Sequence, residues 1–419
     1  MKMKINILKN NNYTYLIFLL IYAGLYEIFD SYNTSFYPTI VSFIQKDLNI
    51  GDSEYYLIIS IGSLGLYIVI LMQYLSDLIG RKLTVIIAFF GMGFSVYLFS
   101  LSHTFITLAI SLFIMYIFFS SDSWIILVSE EVPKEKRGIY IYIVMIIGVI
   151  GVFIIPFLRN WLLDPSDYSS WTRMTFIGWL AMPISLIGLF LNESKAYILK
   201  RKNPDLLEKW KKSTIISRIK EPFIKEQRKI MLVFIIMSFL IGVNYTSLQT
   251  IEKFFSSNLN VPLELISEII FVAGLGSLIV FGTAGFLADK FGRKNMMKFY
   301  SITFSIGMIL LVISTMKNWI NAVYITVIIC QIGFWGCFSL IKMFCVESFP
   351  TEMRGSASGW RSFSFAFGFT IGALISSGLT KFIGLNILYI ILSIPIIIII
   401  PLLVNNVLQE TKSKKLIEE

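Results

Sequence analysis

Long apolar segments recur along the whole chain and are separated by short polar stretches. Each is about 20 residues long, the length that an α-helix needs to cross the hydrocarbon core of a bilayer. Runs such as Ile396–Ile400 lack the alternation of a strand, and a backbone exposed to lipid has to pair its own polar groups. The pattern therefore predicts twelve transmembrane helices in an all-α membrane protein. They cover 13–43, 55–76, 83–102, 105–128, 139–160, 173–191, 230–251, 265–288, 295–316, 319–344, 358–380 and 386–407.

Three short motifs occur once in each half of the chain, and their two copies lie 212 to 217 residues apart. Each copy falls at the end of a predicted span, on the same side of the membrane. The pairs begin at Asp77 and Asp289, at Glu130 and Glu347, and at Glu193 and Glu410. Parallel repeats of six spans place a substrate site at their interface near the bilayer midplane. We therefore predict a six-helix bundle at 1–191, a cytoplasmic basic linker at 192–229, and a second, pseudo-symmetric six-helix bundle with a short cytoplasmic tail at 230–419.

Basic residues are distributed unevenly over the predicted loops. Of the 36 Lys and Arg residues, 28 fall on the side that also holds both termini, and 12 of these lie in the linker. Since basic residues accumulate in cytoplasmic loops, we expect both termini in the cytoplasm and the chain in the plasma membrane. The composition agrees, because 56% of the residues are hydrophobic and 15% are charged. The net charge of +10 thus reports topology and does not indicate a nucleic-acid partner.

The chain lacks the motifs of the common enzyme and metal-site classes. It contains one histidine, His103, and its three cysteines lie within one apolar stretch. No nucleophile elbow, zinc-protease motif or phosphate-binding loop is present in the sequence. We therefore expect no catalytic residue, no metal and no cofactor, with a proton gradient as the energy source. A membrane-embedded enzyme and a sensor that moves nothing are the alternatives to a transporter.

Acidic side chains within the predicted spans are the first functional candidates, because charges inside a bilayer are costly. Glu27 and Asp30 lie one helical turn apart in the first span and share a face. Two like charges so close in a low dielectric do not both ionise easily, which predicts a proton-carrying pair. Asp122, between two serines in the fourth span, is the third candidate. The alternatives are a structural pair in the first span and a helix-end cap at Asp122.

The repeated loop motifs resemble the signatures of the major facilitator superfamily across the whole chain. The loops after spans two and eight carry its D-x-x-G-R-[KR] signature, and the motifs at Glu130, Glu347 and Glu410 are similar to those of sugar porters and metabolite:proton symporters. The resemblance implies the major facilitator fold and a charged ring that latches the cytoplasmic side closed. Topology anchors without a gating role are the alternative. The expected ring comprises Asp77, Gly80, Arg81, Glu130, Arg137, Asp289, Gly292, Arg293, Glu347 and Arg354.

Further motifs resemble the binding segments of related transporters. Glu27-Ile-Phe-Asp30 is similar to the acidic pattern in the first span of aromatic-acid and phosphate symporters, which implies that Asp30 is the coupling carboxylate. Gly-Val-Asn244 and Phe-Trp335-Gly resemble sugar-porter motifs, which implies that both residues contact the substrate. Gln249, five residues after Asn244, is a further candidate because an amide offers both donors and acceptors. The alternatives are helix packing for Asn244 and a packing or interfacial role for Trp335. The glutamine pair that precedes the first motif in sugar porters is absent here, as is their fifth-span glutamine.

Two basic residues, Lys342 and Arg361, lie toward the cytoplasmic ends of spans ten and eleven. They either extend to the membrane surface or face the cavity, where they favour an anionic substrate.

We predict a secondary active transporter that moves a small polar metabolite, preferably an organic anion, by alternating access with proton symport. A sugar:proton symporter or a facilitative sugar transporter is the alternative. The expected partners are the substrate, protons and membrane lipid, and the expected state is a monomer.

Overall fold

Most of the described residues lie in helices. Within the described part of the chain, the only β-type pairing is an isolated bridge between Asp164 and Asp167. The prediction of an all-α membrane protein is confirmed. The computed structural model describes residues 12–68, 79–119, 123–132, 137–195, 197–198, 221–224, 227–259, 261–349 and 353–411.

The first half of the chain forms helices broken by short polar turns. At one such turn, α5 (Phe105–Phe118) begins with a capping box. The Thr104 hydroxyl accepts a hydrogen bond from the Thr107 N–H, and the Thr107 hydroxyl accepts one from the Thr104 N–H. Short 3-10 helices lie at Tyr37–Thr39, Leu64–Ile68, Tyr168–Ser170 and Leu186–Phe190. The α-helices are α1 (Asn12–Ser35), α2 (Val41–Leu48), α3 (Asp52–Ser63), α4 (Arg81–Ser100), α5 (Phe105–Phe118), α6 (Ser123–Glu131), α7 (Arg137–Phe153), α8 (Ile155–Leu162), α9 (Trp171–Trp179) and α10 (Ala181–Ser185).

The second half forms longer helices, after a 3-10 turn at Glu221–Phe223. The longest of them contains a break at Gly384, whose φ of 68° and ψ of 169° end one span and start the next. A positive φ of this kind favours glycine, which lacks a Cβ. The α-helices are α11 (Gln227–Leu248), α12 (Ile251–Asn258), α13 (Leu263–Phe291), α14 (Arg293–Met316), α15 (Ile320–Ser348) and α16 (Arg354–Asn406).

Nine helical stretches among the described residues are long and apolar enough to cross a membrane. The difference from the twelve predicted spans has three sources. The stretch Ser356–Asn406 holds two spans joined at Gly384. Span four contributes the shorter apolar helix Phe105–Phe118, and span two runs into residues 69–78, outside the described ranges. The helices therefore agree with the predicted twelve-span fold.

Two compact units divide the chain, and they do not follow the order of the sequence. The first comprises 1–37 and 64–212, and the second comprises 38–63 and 213–419. The predicted bundle at 1–191 includes residues 38–63, which here belong to the second unit with α2 and α3. Most of the predicted linker at 192–229 lies outside the described residues.

Hydrogen bonds fasten residues 38–63 within the second unit. Glu252 is fully buried at the start of α12 and accepts bonds from Ser42, at 2.9 Å from the backbone N–H and 2.6 Å from the hydroxyl. Ile40 offers no side-chain cap to α2, so the Glu252 carboxylate caps that helix from another element. Other bonds join Tyr56 to Thr250, Ser53 to Ser377 and Ser63 to Thr370.

Glycines set the close approach of α11 and α16 in the second unit. A Cβ on Gly242 would lie 2.1 Å from the carbonyl oxygen of Phe365. A Cβ on Gly368 would lie 2.1 Å from the carbonyl oxygen of Phe239. Small residues let two backbones approach in a membrane, where van der Waals packing drives association. The polar side chains of α11 are thereby held against α16.

Candidate functional site

A charged cluster surrounds the start of α4. Gly80 has a φ of 106°, and the helix begins at the next residue, Arg81. The Glu193 carboxylate accepts hydrogen bonds from the backbone N–H groups of Arg81, at 2.8 Å, and Lys82, at 3.2 Å. It thereby satisfies donors that have no partner within the helix and meets the positive end of the helix dipole. A Cβ on Gly80 would lie 2.1 Å from this carboxylate, and the positive φ at this position also favours glycine.

The side chain of Arg81 connects this cluster to the end of α6. Its Nε and one terminal nitrogen each lie 3.4 Å from the same oxygen of Glu130. The Ser194 hydroxyl donates to the other oxygen of Glu130, and the Tyr197 ring lies 5.8 Å from the guanidinium. Arg81 is only 8% exposed. The ion pair is therefore largely buried and ties together α4, α6 and the segment after position 192.

The second copy of the motifs forms a corresponding cluster around the start of α14. The backbone N–H of Arg293 donates to Glu410 at 2.8 Å. Its guanidinium donates to both oxygens of Glu347, at 2.9 and 3.0 Å, and also to Asp289. The Thr411 hydroxyl donates to Glu347 at 2.7 Å. Bidentate pairs of this kind are among the strongest hydrogen-bonded contacts in proteins.

Most of the residues predicted to form the cytoplasmic ring therefore lie in these two clusters. Gly292, with a φ of 92°, repeats the conformation of Gly80. Asp77 lies outside the described residues, as do the side chains of Arg137 and Arg354. The carboxylates of Glu193 and Glu410 were not among the predicted ring residues. Their signal was the third repeated motif, which places an acid at the same offset in each half.

The two acidic residues of α1, Glu27 and Asp30, are both half-buried. Glu27 packs against α7 where Gly148 leaves room, since a Cβ on Gly148 would lie 2.3 Å from the Glu27 Cγ. One turn further, a Cβ on Gly151 would lie 2.1 Å from a backbone carbonyl oxygen of α1. Gly148 thus leaves the space that the Glu27 side chain occupies, and Gly151 lets the backbones of α1 and α7 approach each other. The third candidate, Asp122, lies outside the described residues.

Asn244 is fully buried where α11 packs against α16. Its amide nitrogen donates to the carbonyl oxygens of Leu240, at 3.0 Å, and Leu392, at 2.8 Å. Its side-chain oxygen is also buried and has no hydrogen-bond partner among the described residues. The side chain therefore joins two helices and retains an acceptor. Gln249, five residues further along, is 3% exposed.

Trp335 belongs to an aromatic cluster on α15. Its indole N–H donates to the Gln331 side-chain oxygen at 2.8 Å, and its ring lies edge-on to Phe334 and Phe338 at 5.3 and 5.4 Å. Tyr245 of α11 stands 6.4 Å from the indole. Trp335 and Tyr245 are half-buried, so part of each ring is accessible for stacking. Gln331 was not predicted, although a glutamine one turn before a tryptophan in an apolar span is a detectable signal.

Two basic residues, Lys342 of α15 and Arg361 of α16, lie on span-forming helices near the aromatic cluster in sequence. The Lys342 ammonium lies 4.2 Å from the centroid of Phe338, and Lys342 is exposed. Arg361 is 6% exposed and donates to the Ser362 hydroxyl at 2.6 Å. The burial of Arg361 argues against an extended side chain at the membrane surface.

Comparison with known proteins matches the chain to one family of membrane proteins. The profile of the Major Facilitator Superfamily matches residues 23–360 and 234–418. The glucose transporter GlcP of Staphylococcus epidermidis is 29% identical over 119 residues, which are 28% of this chain and 26% of that relative. The match therefore spans about a quarter of the relative's length.

Solved structures match over nearly the whole chain. A D-xylose-proton symporter has a TM-score of 0.77 at 15% identity, with 96% of this chain and 99% of the other covered. The nucleoside transporter NupG has a TM-score of 0.76 at 14% identity, with 93% and 100% covered. At these identities the likeness concerns the fold.

Proposed function

Since the chain belongs to the Major Facilitator Superfamily and is a membrane transporter, we propose that it carries a small organic anion in symport with protons. The resemblance predicted from the loop motifs is thereby confirmed, and a transporter replaces the enzyme alternative. In repeat-built transporters, alternating access arises when one bundle rocks against the other around a fixed substrate site. Glu27 and Asp30 are the proposed proton carriers, and Asn244, Gln249 and Trp335 are the proposed substrate contacts.

The half-buried acids of α1 carry this proposal. Glu27 and Asp30 are three residues apart in the middle of a span, where charged groups are costly and are usually functional. We propose that this pair takes up and releases one proton during transport. Gain or loss of that proton changes the charge of α1 by one unit. A change that acts differently on two conformations shifts their populations, which is the requirement for coupling.

Charges in the second unit favour an anion as the substrate. Lys342 and Arg361 place two positive charges within the span-forming helices α15 and α16. The amide of Gln249 offers donors and acceptors that suit a carboxylate or hydroxyl group, and the Asn244 side-chain oxygen is an acceptor suited to a hydroxyl. An organic anion that carries negative charge into this environment is therefore preferred over a neutral solute.

The two arginine clusters support a latch on the cytoplasmic side. We propose that both termini are cytoplasmic, because 28 of the 36 basic residues lie on their side of the predicted spans. In this orientation, the clusters of Arg81 and Arg293 stand at the cytoplasmic ends of α4 and α14. The proposed location is the plasma membrane, and the proposed working unit is a monomer.

A sugar is the second candidate substrate. The local similarity to the glucose transporter GlcP favours it, as does the hydrogen-bonded pair of Trp335 and Gln331. A tryptophan face beside an amide is a combination that accepts a pyranose ring with its hydroxyl groups.

Substrate-driven proton movement in proteoliposomes tests both candidates. Aromatic acids, dicarboxylates, phosphate and sugars are each added outside vesicles that contain a pH-sensitive dye. One anion class is expected to make the lumen more acidic as protons enter with it, and Asp30→Asn is expected to abolish this signal. Asp47→Asn is the matched control, because Asp47 is exposed outside the predicted spans.

Each other outcome overturns a defined part of the proposal. Proton entry with a sugar but with no anion selects the second candidate. Solute uptake without a proton signal, unchanged in Asp30→Asn, means facilitated diffusion and returns Glu27 and Asp30 to a structural role.

A further inference from the structure

The rings of Phe338 and Phe365 fix the relative height of α15 and α16. Their centroids are 5.1 Å apart. The two helices form consecutive spans and cross the membrane in opposite directions. Lys342 follows Phe338 by four residues, and Arg361 precedes Phe365 by four. Both basic residues therefore lie about one turn, ~5.4 Å, from the aromatic pair and on the same side of it.

The aromatic layer beside these charges is accessible. Tyr245, Trp335, Phe338 and Phe365 are half-buried, whereas Phe334 behind them is buried. Tyr245 contacts Phe365 at a centroid distance of 5.5 Å, so α11 continues the same layer. Accessible ring faces next to cations offer two different kinds of contact, one apolar and one electrostatic.

We propose that this surface binds an aryl carboxylate, with its ring on the Trp335–Phe338–Phe365 layer and its carboxylate between Lys342 and Arg361. This assignment rests on the proposed transport of an organic anion and names its class. Arg361 supplies a planar guanidinium suited to a carboxylate, and Lys342 supplies a mobile point charge. The separation of one turn matches an acid in which two carbons join ring and carboxylate, and 3-phenylpropanoate is the simplest example.

The Lys342 ammonium lies over the Phe338 ring, 4.2 Å from its centroid. A cation over a ring face is held by the ring quadrupole, and this attraction is weak at a solvated site. A charge-assisted hydrogen bond to a carboxylate is stronger. The arriving anion therefore draws Lys342 off Phe338 and frees that face for the aryl ring, which couples recognition of the charge to recognition of the ring.

Equilibrium binding to the purified full-length protein tests the assignment without any proton gradient. The probes are 3-phenylpropanoate, its neutral amide, 3-cyclohexylpropanoate and D-xylose. The acid is expected to bind at least about tenfold more tightly than the amide, because the amide lacks the charge. The cyclohexyl acid is expected to bind more weakly than the phenyl acid.

Substitutions separate the two parts of the site. Lys342→Gln is expected to weaken binding of both acids about tenfold and to leave the amide unchanged. Arg361→Lys retains the charge in a buried position and is expected to weaken the acids to a smaller extent. Phe338→Leu is expected to remove the preference for phenyl over cyclohexyl. The matched controls are Lys381→Gln and Phe367→Leu, which alter exposed residues of α16 and are expected to bind like the parent protein.

The assignment is overturned if the acid and the amide bind with equal affinity. It is also overturned if both Lys342→Gln and Arg361→Lys bind the acid as tightly as the parent protein does. Absence of binding with proton-coupled uptake of another anion overturns this inference alone. Binding of 3-phenylpropanoate without proton-coupled uptake of any solute overturns the proposed symport and leaves the site intact.

Discussion

Arg293 donates two hydrogen bonds, of 2.9 and 3.0 Å, to the carboxylate of Glu347. The corresponding contact in the first unit, between Arg81 and Glu130, is longer, at 3.4 Å. The arginines of the two motif copies therefore pair with corresponding glutamates, but the ion pair is closer in the second unit. In the second unit the geometry is bidentate, which depends on the planar guanidinium.

This difference predicts unequal effects of a conservative substitution. Arg293→Lys loses the bidentate geometry, whereas Arg81→Lys loses weaker contacts. We expect Arg293→Lys to lower the free energy of unfolding by about 1.5–3 kcal/mol, and Arg81→Lys to lower it by less. Thermal unfolding of the purified protein, followed by tryptophan fluorescence, measures both. Equal losses for the two variants would contradict the asymmetry.

Gly151 is predicted to tolerate no side chain. Its Cβ would meet a backbone carbonyl of α1 at 2.1 Å, so Gly151→Ala forces α1 and α7 apart at a cost of about 1–3 kcal/mol. Gly148→Ala displaces Glu27 and is expected to lower proton-coupled uptake as well as stability. The control is Gly282→Ala, because no atom lies within 4 Å of its Cβ position. If Gly151→Ala unfolded at the same temperature as the parent protein, the close contact of α1 and α7 would be refuted.

Asn244 is predicted to stabilise the contact of α11 with α16. Asn244→Ala leaves the buried carbonyl of Leu392 without its side-chain donor, which costs about 1–3 kcal/mol. Ser247→Ala is the matched control on the same helix, since the buried Ser247 hydroxyl has no hydrogen-bond partner among the described residues. The control is expected to unfold like the parent protein. A similar loss in both variants would show that the Leu392 bond is not the cause.

Glu252 is predicted to hold residues 38–63 in the second unit. Glu252→Ala leaves two donors of Ser42 without their acceptor and is expected to destabilise the protein by about 1–3 kcal/mol. Glu252→Gln keeps an oxygen for the Ser42 N–H and is expected to have a smaller effect. Hydrogen exchange at α2 measures the release of this segment. Glu264→Gln, at an exposed position of α13, is the control, and unchanged exchange in Glu252→Ala would exclude the role.

Apolar periodicity and repeated motifs were enough to predict the helices and the family. A span of about 20 apolar residues has few alternatives in lipid, and a duplicated loop motif identifies two related halves. The same repeats located Arg81 and Arg293 and their partners Glu130 and Glu347. Local patterns determine these features, because helices satisfy their own backbone and each motif lies at a helix end.

Contacts between distant segments were decided by three-dimensional packing. Ser42 and Glu252 are 210 residues apart, and their bond joins residues 38–63 to α12, a contact that no local pattern indicates. Asn244 was singled out from its motif, and its amide nitrogen joins α11 to α16, a contact that the motif does not indicate. Whether a polar side chain in a span serves packing or a ligand depends on which helix lies opposite it. That neighbour is set by packing of side chains far apart in the chain, which no periodicity along one helix encodes.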